Sequence, residues 1–173
     1  MKTGFWGVLA GVLLAGAVQA AGFEARPATP APELKAQDLA GATKTLADYR
    51  GKVVLLNFWA SWCPPCLREM PSMERLRVKM AGRPLVVVAL DSAETREEVD
   101  AFLAKMQVGF PILLDPDGSN TKRWKVFALP TTFLLDASGR IRYVLTGPTE
   151  WDEGEALAKI EELLAELPAN KAK

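Results

Sequence analysis

The sequence predicts a three-layer α/β domain, in which a central mixed β-sheet carries helices on both faces and a small β-hairpin precedes it. Three observations predict it. Two nearly continuous apolar runs, Lys52 to Ala60 (KVVLLNFWA) and Pro84 to Leu90 (PLVVVAL), have the β-branched and aromatic content of strands buried on both faces. The segment between them has apolar residues at helical spacing, long enough to carry the chain over a parallel pairing. Two later strand-like runs, Thr131 to Leu135 and Arg140 to Leu145, sit close about Ala137, Ser138 and Gly139, so the last strands pair antiparallel. With 173 residues and 49% hydrophobic content, one core is the natural outcome.

The first twenty residues, MKTGFWGVLAGVLLAGAVQA, place one lysine before an uncharged apolar run and end on small side chains. Residues 1–20 are expected to be an export signal cleaved after Ala20. The alternative is an uncleaved anchor built on Phe5 to Val18, a run short for a membrane span. Residues 21–32, with prolines at 27, 30 and 32, read as a linker to a folded body of residues 33–167, followed by a polar tail at 168–173. Leu34 to Leu39 and Thr43 to Leu46 flank Ala40 and Gly41 as a hairpin. From Pro64 to about Ala81, Leu67, Met70, Met73 and Leu76 recur three apart and mark a helix, with Pro64 suited to its first position. Pro71 inside this helix removes a backbone hydrogen bond and is expected to kink it. Thr95 and Glu98 form a capping-box pattern that opens a helix to about Gln107. A strand at Pro111 to Leu114, a turn at Asp115 to Gly118, a short helix over 119–127 and a closing amphipathic helix from Trp151 to Leu167 complete the order.

Composition removes whole classes of function. The 21 basic and 21 acidic residues cancel, so there is no basic field to attract nucleic acid. Histidine is absent, which eliminates Ser-His-Asp and Cys-His catalysis, histidine-ligated metal sites and an imidazole pH switch. Acid-base work falls to carboxylates, thiols or lysines.

The chemistry concentrates at Trp62, Cys63, Pro64, Pro65 and Cys66, where a central strand turns into a helix. A cysteine at a helix N-terminus meets unpaired N–H groups and the positive end of the helix dipole, which favour thiolate over thiol. Cys63 is therefore the expected nucleophile, and Cys66, one turn further in and less exposed, the resolving thiol. A structural disulfide closing so short a loop would add little stability. Two cysteines without histidine cannot supply a usual zinc set. A Cu(I) site using both thiolates with Met70 or Met73 stays open by ligand softness, although methionines on an apolar helix face more often pack a core. Thiol peroxidase chemistry at Cys63 is a further alternative. Glu69, three residues after Cys66 and on the same helix face, is either a proton acceptor for the resolving thiol or a solvated helix charge. Trp59 and Trp62 either shape the contact surface or pack as core aromatics.

The run Asn57 to Cys66 (NFWASWCPPC), followed about sixty residues on by Ala128 to Asp136 (ALPTTFLLD), resembles the thioredoxin superfamily in its exported TlpA/ResA-like branch. The resemblance covers about Glu33 to Leu167 and implies a thioredoxin-like fold. It implies that Pro130 is a cis-proline opposite the cysteine pair, and a proline at a strand start is compatible with that. Leu129 and Thr131 would then border the substrate, with Trp62, Pro64 and Pro65 beside them. In this branch a glutamate at the place of Glu69 is associated with proton handling. Asn57 stands where thioredoxins carry a buried aspartate and cannot take a proton, which shifts that task toward Glu69. The activity implied is thiol-disulfide exchange in the periplasm, with no cofactor beyond the redox-active Cys63–Cys66 disulfide. The partners implied are exported proteins bearing cysteine pairs, such as apocytochrome c or copper-site proteins, and a membrane electron donor of thiol-disulfide type. A monomer is expected.

Overall fold

The computed structural model describes residues 22–168, so the expected signal over 1–20 and all but the first residue of the polar tail lie outside the described residues. Eight strands are described: β1 (Glu24–Pro30), β2 (Lys35–Asp38), β3 (Thr43–Thr45), β4 (Val53–Trp59), β5 (Leu85–Ser92), β6 (Ile112–Asp115), β7 (Thr131–Leu135) and β8 (Arg140–Thr146). Four α-helices accompany them: α1 (Pro64–Lys79), α2 (Arg96–Leu103), α3 (Ser119–Arg123) and α4 (Gly154–Ala165). One mixed sheet runs β1-β8-β7-β4-β5-β6-β2-β3. The pairs β4–β5 and β5–β6 are parallel, as the helical crossovers require, and β4–β7 and β7–β8 are antiparallel.

Strand β4 shows why the run KVVLLNFWA is apolar throughout. Val53, Leu55 and Trp59 point into one core cluster with α1 and α4, while Val54, Leu56 and Phe58 point into a second with Trp124 and Phe133. All seven residues of the strand are buried. The alternation of a strand therefore puts Asn57 on the face shared with α1. The two faces also settle Trp59, which is a core aromatic packed at a tilt against Phe102, 5.1 Å between ring centroids.

Helix α1 starts on Pro64, as expected, and continues through the exposed Pro71 to Lys79. Its buried face is Cys66, Glu69, Met70, Ser72, Met73 and Leu76. Met70 and Met73 are both fully buried in the core. Thr95 caps α2 through the predicted box, its side chain accepting from Glu98 N and Glu98 accepting in return from Thr95 N. That helix is shorter than expected and ends at Leu103. Likewise α3 ends at Arg123, and α4 begins at Gly154, leaving Trp151 ahead of the helix.

One expectation is overturned. Residues 21–32 are no linker through their middle, because β1 pairs antiparallel with β8, Glu24 against Val144 and Pro30 against Arg140. The prolines that argued against a strand are tolerated for a local reason. β1 is an edge strand, its register shifts between Ala25 and Thr29, and Pro27 falls inside that irregularity, where no ladder N–H is required. Phe23 then packs edge-on against Tyr143 and Trp151, with ring centroids 6.4 and 5.9 Å away, so the folded body begins before Glu33.

Candidate active site

Cys63 is the N-cap of α1, and its Sγ accepts a hydrogen bond from Cys66 N at 3.3 Å. Pro64 and Pro65 occupy the next two positions and carry no N–H, so Cys66 N is the first donor the helix can offer. The two sulfurs are joined, with Cα atoms 5.3 Å apart. Cys63 retains 4% exposure and Cys66 none, which makes Cys63 the sulfur an incoming molecule meets.

Glu69 lies one helical turn beyond Cys66 and is 1% exposed, so it is no solvated surface charge. Three donors converge on it. Asn57 Nδ2 donates to Oε1 at 2.8 Å, while Trp151 Nε1 and Thr149 N donate to Oε2 at 3.1 and 3.3 Å. Asn57 Nδ2 also donates to Thr132 Oγ1 at 2.8 Å across the β4–β7 pair. Burial pushes the Glu69 carboxyl up to about 7, and the hydrogen bonds from Trp151, Asn57 and Thr149 hold it from rising further. A carboxyl with that value exchanges a proton readily at neutral pH. Asn57 Oδ1 is buried without a partner.

The peptide bond between Leu129 and Pro130 is cis, as the resemblance implied. Leu129 lines an open groove of about 540 Å³ together with Trp62, Cys63, Pro64 and Pro65. Trp62 is 67% exposed at its rim. Thr131 is 5% exposed, is paired in the sheet with both Phe58 and Thr146, and its hydroxyl donates to Ala128 O at 2.7 Å. The carbonyl of Pro130 is taken by Gly147 N at 2.8 Å. Of the three residues, Leu129 lines the groove beside Cys63, and Thr131 lines a neighbouring hollow on the other side of Phe127.

Sequence reasoning missed three parts of this site. Trp151 and Thr149 come from the loop before α4, and no local signal ties them to Glu69. Phe127, 92% exposed at the far end of the groove, was visible only as part of a short helix. A carboxyl pair, Asp91 and Glu94, sits at the end of β5. Glu94 accepts from Ser61 N at 2.5 Å and from Ser61 Oγ, bracing the turn that leads to Cys63. Asp91 Oδ1 accepts from Glu94 N at 3.2 Å. Burial, and then Glu94 itself, push the Asp91 carboxyl well above the usual range. Among the described residues, no three side chains of His, Cys, Asp or Glu cluster as metal ligands.

Comparison with known proteins bears on this arrangement. Residues 27–144 match the family model described as the AhpC/TSA family. The chain is 38% identical over 117 residues to the thiol-disulfide oxidoreductase ResA of Geobacillus thermodenitrificans, covering 68% of this chain and 67% of that one. It is 44% identical over 120 residues to the thioredoxin-like protein YneN of Bacillus subtilis, covering 68% and 69%. Among solved structures, a thiol:disulfide interchange protein of the thioredoxin family from Chlorobium tepidum superposes with a TM-score of 0.67 at 28% identity, covering 82% of this chain and 99% of that one.

Proposed function

Because the chain belongs to the AhpC/TSA family of thioredoxin-like proteins and is a thiol-disulfide oxidoreductase, we propose that it is exported and reduces cysteine pairs of other exported proteins. The observation that carries this reading is Cys63 Sγ, held at a helix start by Cys66 N and opening on a groove.

In the reduced protein, the Cys63 thiolate attacks one sulfur of a substrate disulfide. That S–S bond breaks, the departing substrate thiolate takes a proton from solvent, and a mixed disulfide joins Cys63 to the substrate. Cys66 then gives its proton to Glu69 and attacks the Cys63 sulfur. The second substrate sulfur leaves as a thiolate and takes up a proton, Cys63–Cys66 closes, and two electrons have passed to the substrate. A membrane donor of thiol-disulfide type restores the dithiol.

The direction rests on Pro65. An N-cap side chain draws its hydrogen bond from the second or third helical N–H. Pro65 deletes one of these, so the thiolate, and with it the reduced form, is less stabilised than in a helix that keeps both. A less stable dithiol is the stronger reductant. The leader over residues 1–20 supports a periplasmic location, and the cysteine pairs of apocytochrome c or of copper sites are the proposed substrates.

The test is turnover of a disulfide-closed peptide carrying a haem-binding or copper-binding cysteine pair, alongside insulin. The reading expects reduction of both, complete loss in Cys63→Ser, and accumulation of a covalent enzyme–peptide species in Cys66→Ala. Stoichiometric Cu(I) binding without disulfide reduction would make the protein a copper carrier. Rapid peroxide-dependent closure of Cys63–Cys66 without peptide turnover would make it a peroxidase.

A further inference from the structure

The groove beside Cys63 does not end at Phe127. On the other side of that ring lies a second hollow of about 590 Å³, and Phe127 and Ala128 line both. Its floor is apolar, with Phe133, Ile141 and Val144. Its rim is basic. Glu24 is neutralised by Arg26 at 2.8 Å, whereas Arg123 and Lys125 have no carboxylate partner among the described residues. Lys122, beside Arg123 in the last turn of α3, is exposed as well.

The backbone holds one of these charges at some cost. α3 ends in a turn where Val126 N donates to Thr121 O at 3.0 Å and Lys125 N to Lys122 O at 3.1 Å, the double bond pattern of a Schellman motif. Its left-handed position, φ 55°, is where glycine is favoured, and here it is Lys125. A lysine in that conformation is disfavoured relative to glycine. Next to it, Phe127 keeps nearly its whole ring in water. Both departures cluster on one rim, continuous with the active-site groove.

We propose that the second hollow is a docking site for the substrate polypeptide, taking an extended segment that is apolar where it crosses Phe127 and acidic where it passes Arg123 and Lys125. This rests on the oxidoreductase reading and adds to it the chemical class of sequence that flanks the reacting cysteine. The apolar floor receives side chains, Arg123 and Lys125 receive carboxylates, and the segment's cysteine is left over Cys63.

The test uses the full protein in its reduced form and two peptides. Each has one cysteine activated as a mixed disulfide with thionitrobenzoate and flanking leucines, and they differ only in carrying three aspartates or three lysines beyond them. Cys63 thiolate attacks the peptide sulfur and expels coloured thionitrobenzoate; Cys66 then displaces the peptide thiol and closes the disulfide. The acidic peptide is expected to react about tenfold faster at low ionic strength, since its carboxylates pair with the exposed cations that repel the lysine peptide. In high salt the ratio falls to about twofold or less. Lys125→Gly suits the left-handed backbone, so it is expected to keep or raise the thermal midpoint while cutting the ratio to about a third. Equal rates for the two peptides in the unmodified protein, or a ratio untouched by Lys125→Gly, overturn the docking site. Insulin reduction measured on the same samples separates the two levels: its absence overturns the oxidoreductase reading, and its presence with equal peptide rates overturns the docking site alone.

Discussion

Replacing Glu69 with glutamine should abolish a pH-dependent loss of stability that the native protein carries. Glu69 in the fold holds its proton up to about 7, against 4.5 for an ordinary glutamate. Between those values the folded protein binds more protons than the unfolded chain, so stability falls as pH rises through the window and is flat on either side of it. At about 1.4 kcal/mol per pH unit, the full difference amounts to about 3 kcal/mol. Glutamine can occupy the site. Its oxygen accepts from Trp151 Nε1 and Thr149 N, and its amide meets Asn57, whose buried Oδ1 is free to turn toward it as an acceptor. The assay is urea unfolding of the oxidised protein and of Glu69→Gln from pH 4 to pH 9, read as the difference between the two curves. Other titrating groups, Asp91 included, cancel in that difference. The variant should gain about 3 kcal/mol on the native protein between the acid and alkaline ends, with the change centred between 4.5 and 7. Parallel curves would refute the claim that burial holds this carboxyl protonated.

Further predictions follow from the same contacts. Trp151→Phe removes the Nε1 donor from Glu69 and should move the upper end of that window higher, by about one pH unit or more for one charged hydrogen bond; the same titration reads it. Pro65→Ala restores an N–H at the second position of α1, which should stabilise the Cys63 thiolate and raise the reduction potential by about 30–60 mV. Equilibration with glutathione buffers measures the shift, and an unchanged or lower potential would contradict the proposed role of Pro65. In single-turnover experiments Glu69→Gln should leave formation of the mixed disulfide with Cys63 intact and slow its resolution by Cys66, about tenfold or more for loss of a positioned base; equal rates would remove Glu69 from the proton path.

The parts of this molecule legible in its sequence are those set by local patterning. The double-faced burial of β4 is written in a run with one polar residue, and counting along it puts Asn57 toward α1. The helical period over α1, the proline at its first position and the capping box at Thr95 each mark an element within a residue or two. The cis-proline came from resemblance, since a proline before a strand reads as trans on general grounds.

What could not be read depends on distant segments. β1 exists because β8 offers it an edge, and its prolines are harmless only in a bulge whose place is set by that pairing. Trp151 reads as the first turn of an amphipathic helix, yet it precedes α4 and lends its indole N–H to a carboxylate 82 residues away in sequence. Ser61, Asp91 and Glu94 join only because β4 and β5 end side by side, which brings Trp59 opposite Asp91. Thr131, which the resemblance places at the substrate border, is paired on both sides in the sheet and does not line the groove beside Cys63; it lines the neighbouring hollow instead.

Alkylation of the reduced protein with iodoacetamide across pH, quantified separately at the two cysteines, bears most directly on the mechanism. A thiolate held at the start of α1 predicts that Cys63 is modified with a midpoint clearly below the free-thiol value of about 8.5, while Cys66 stays slow. A Cys63 profile matching that of a free thiol, or faster modification of Cys66, would contradict it.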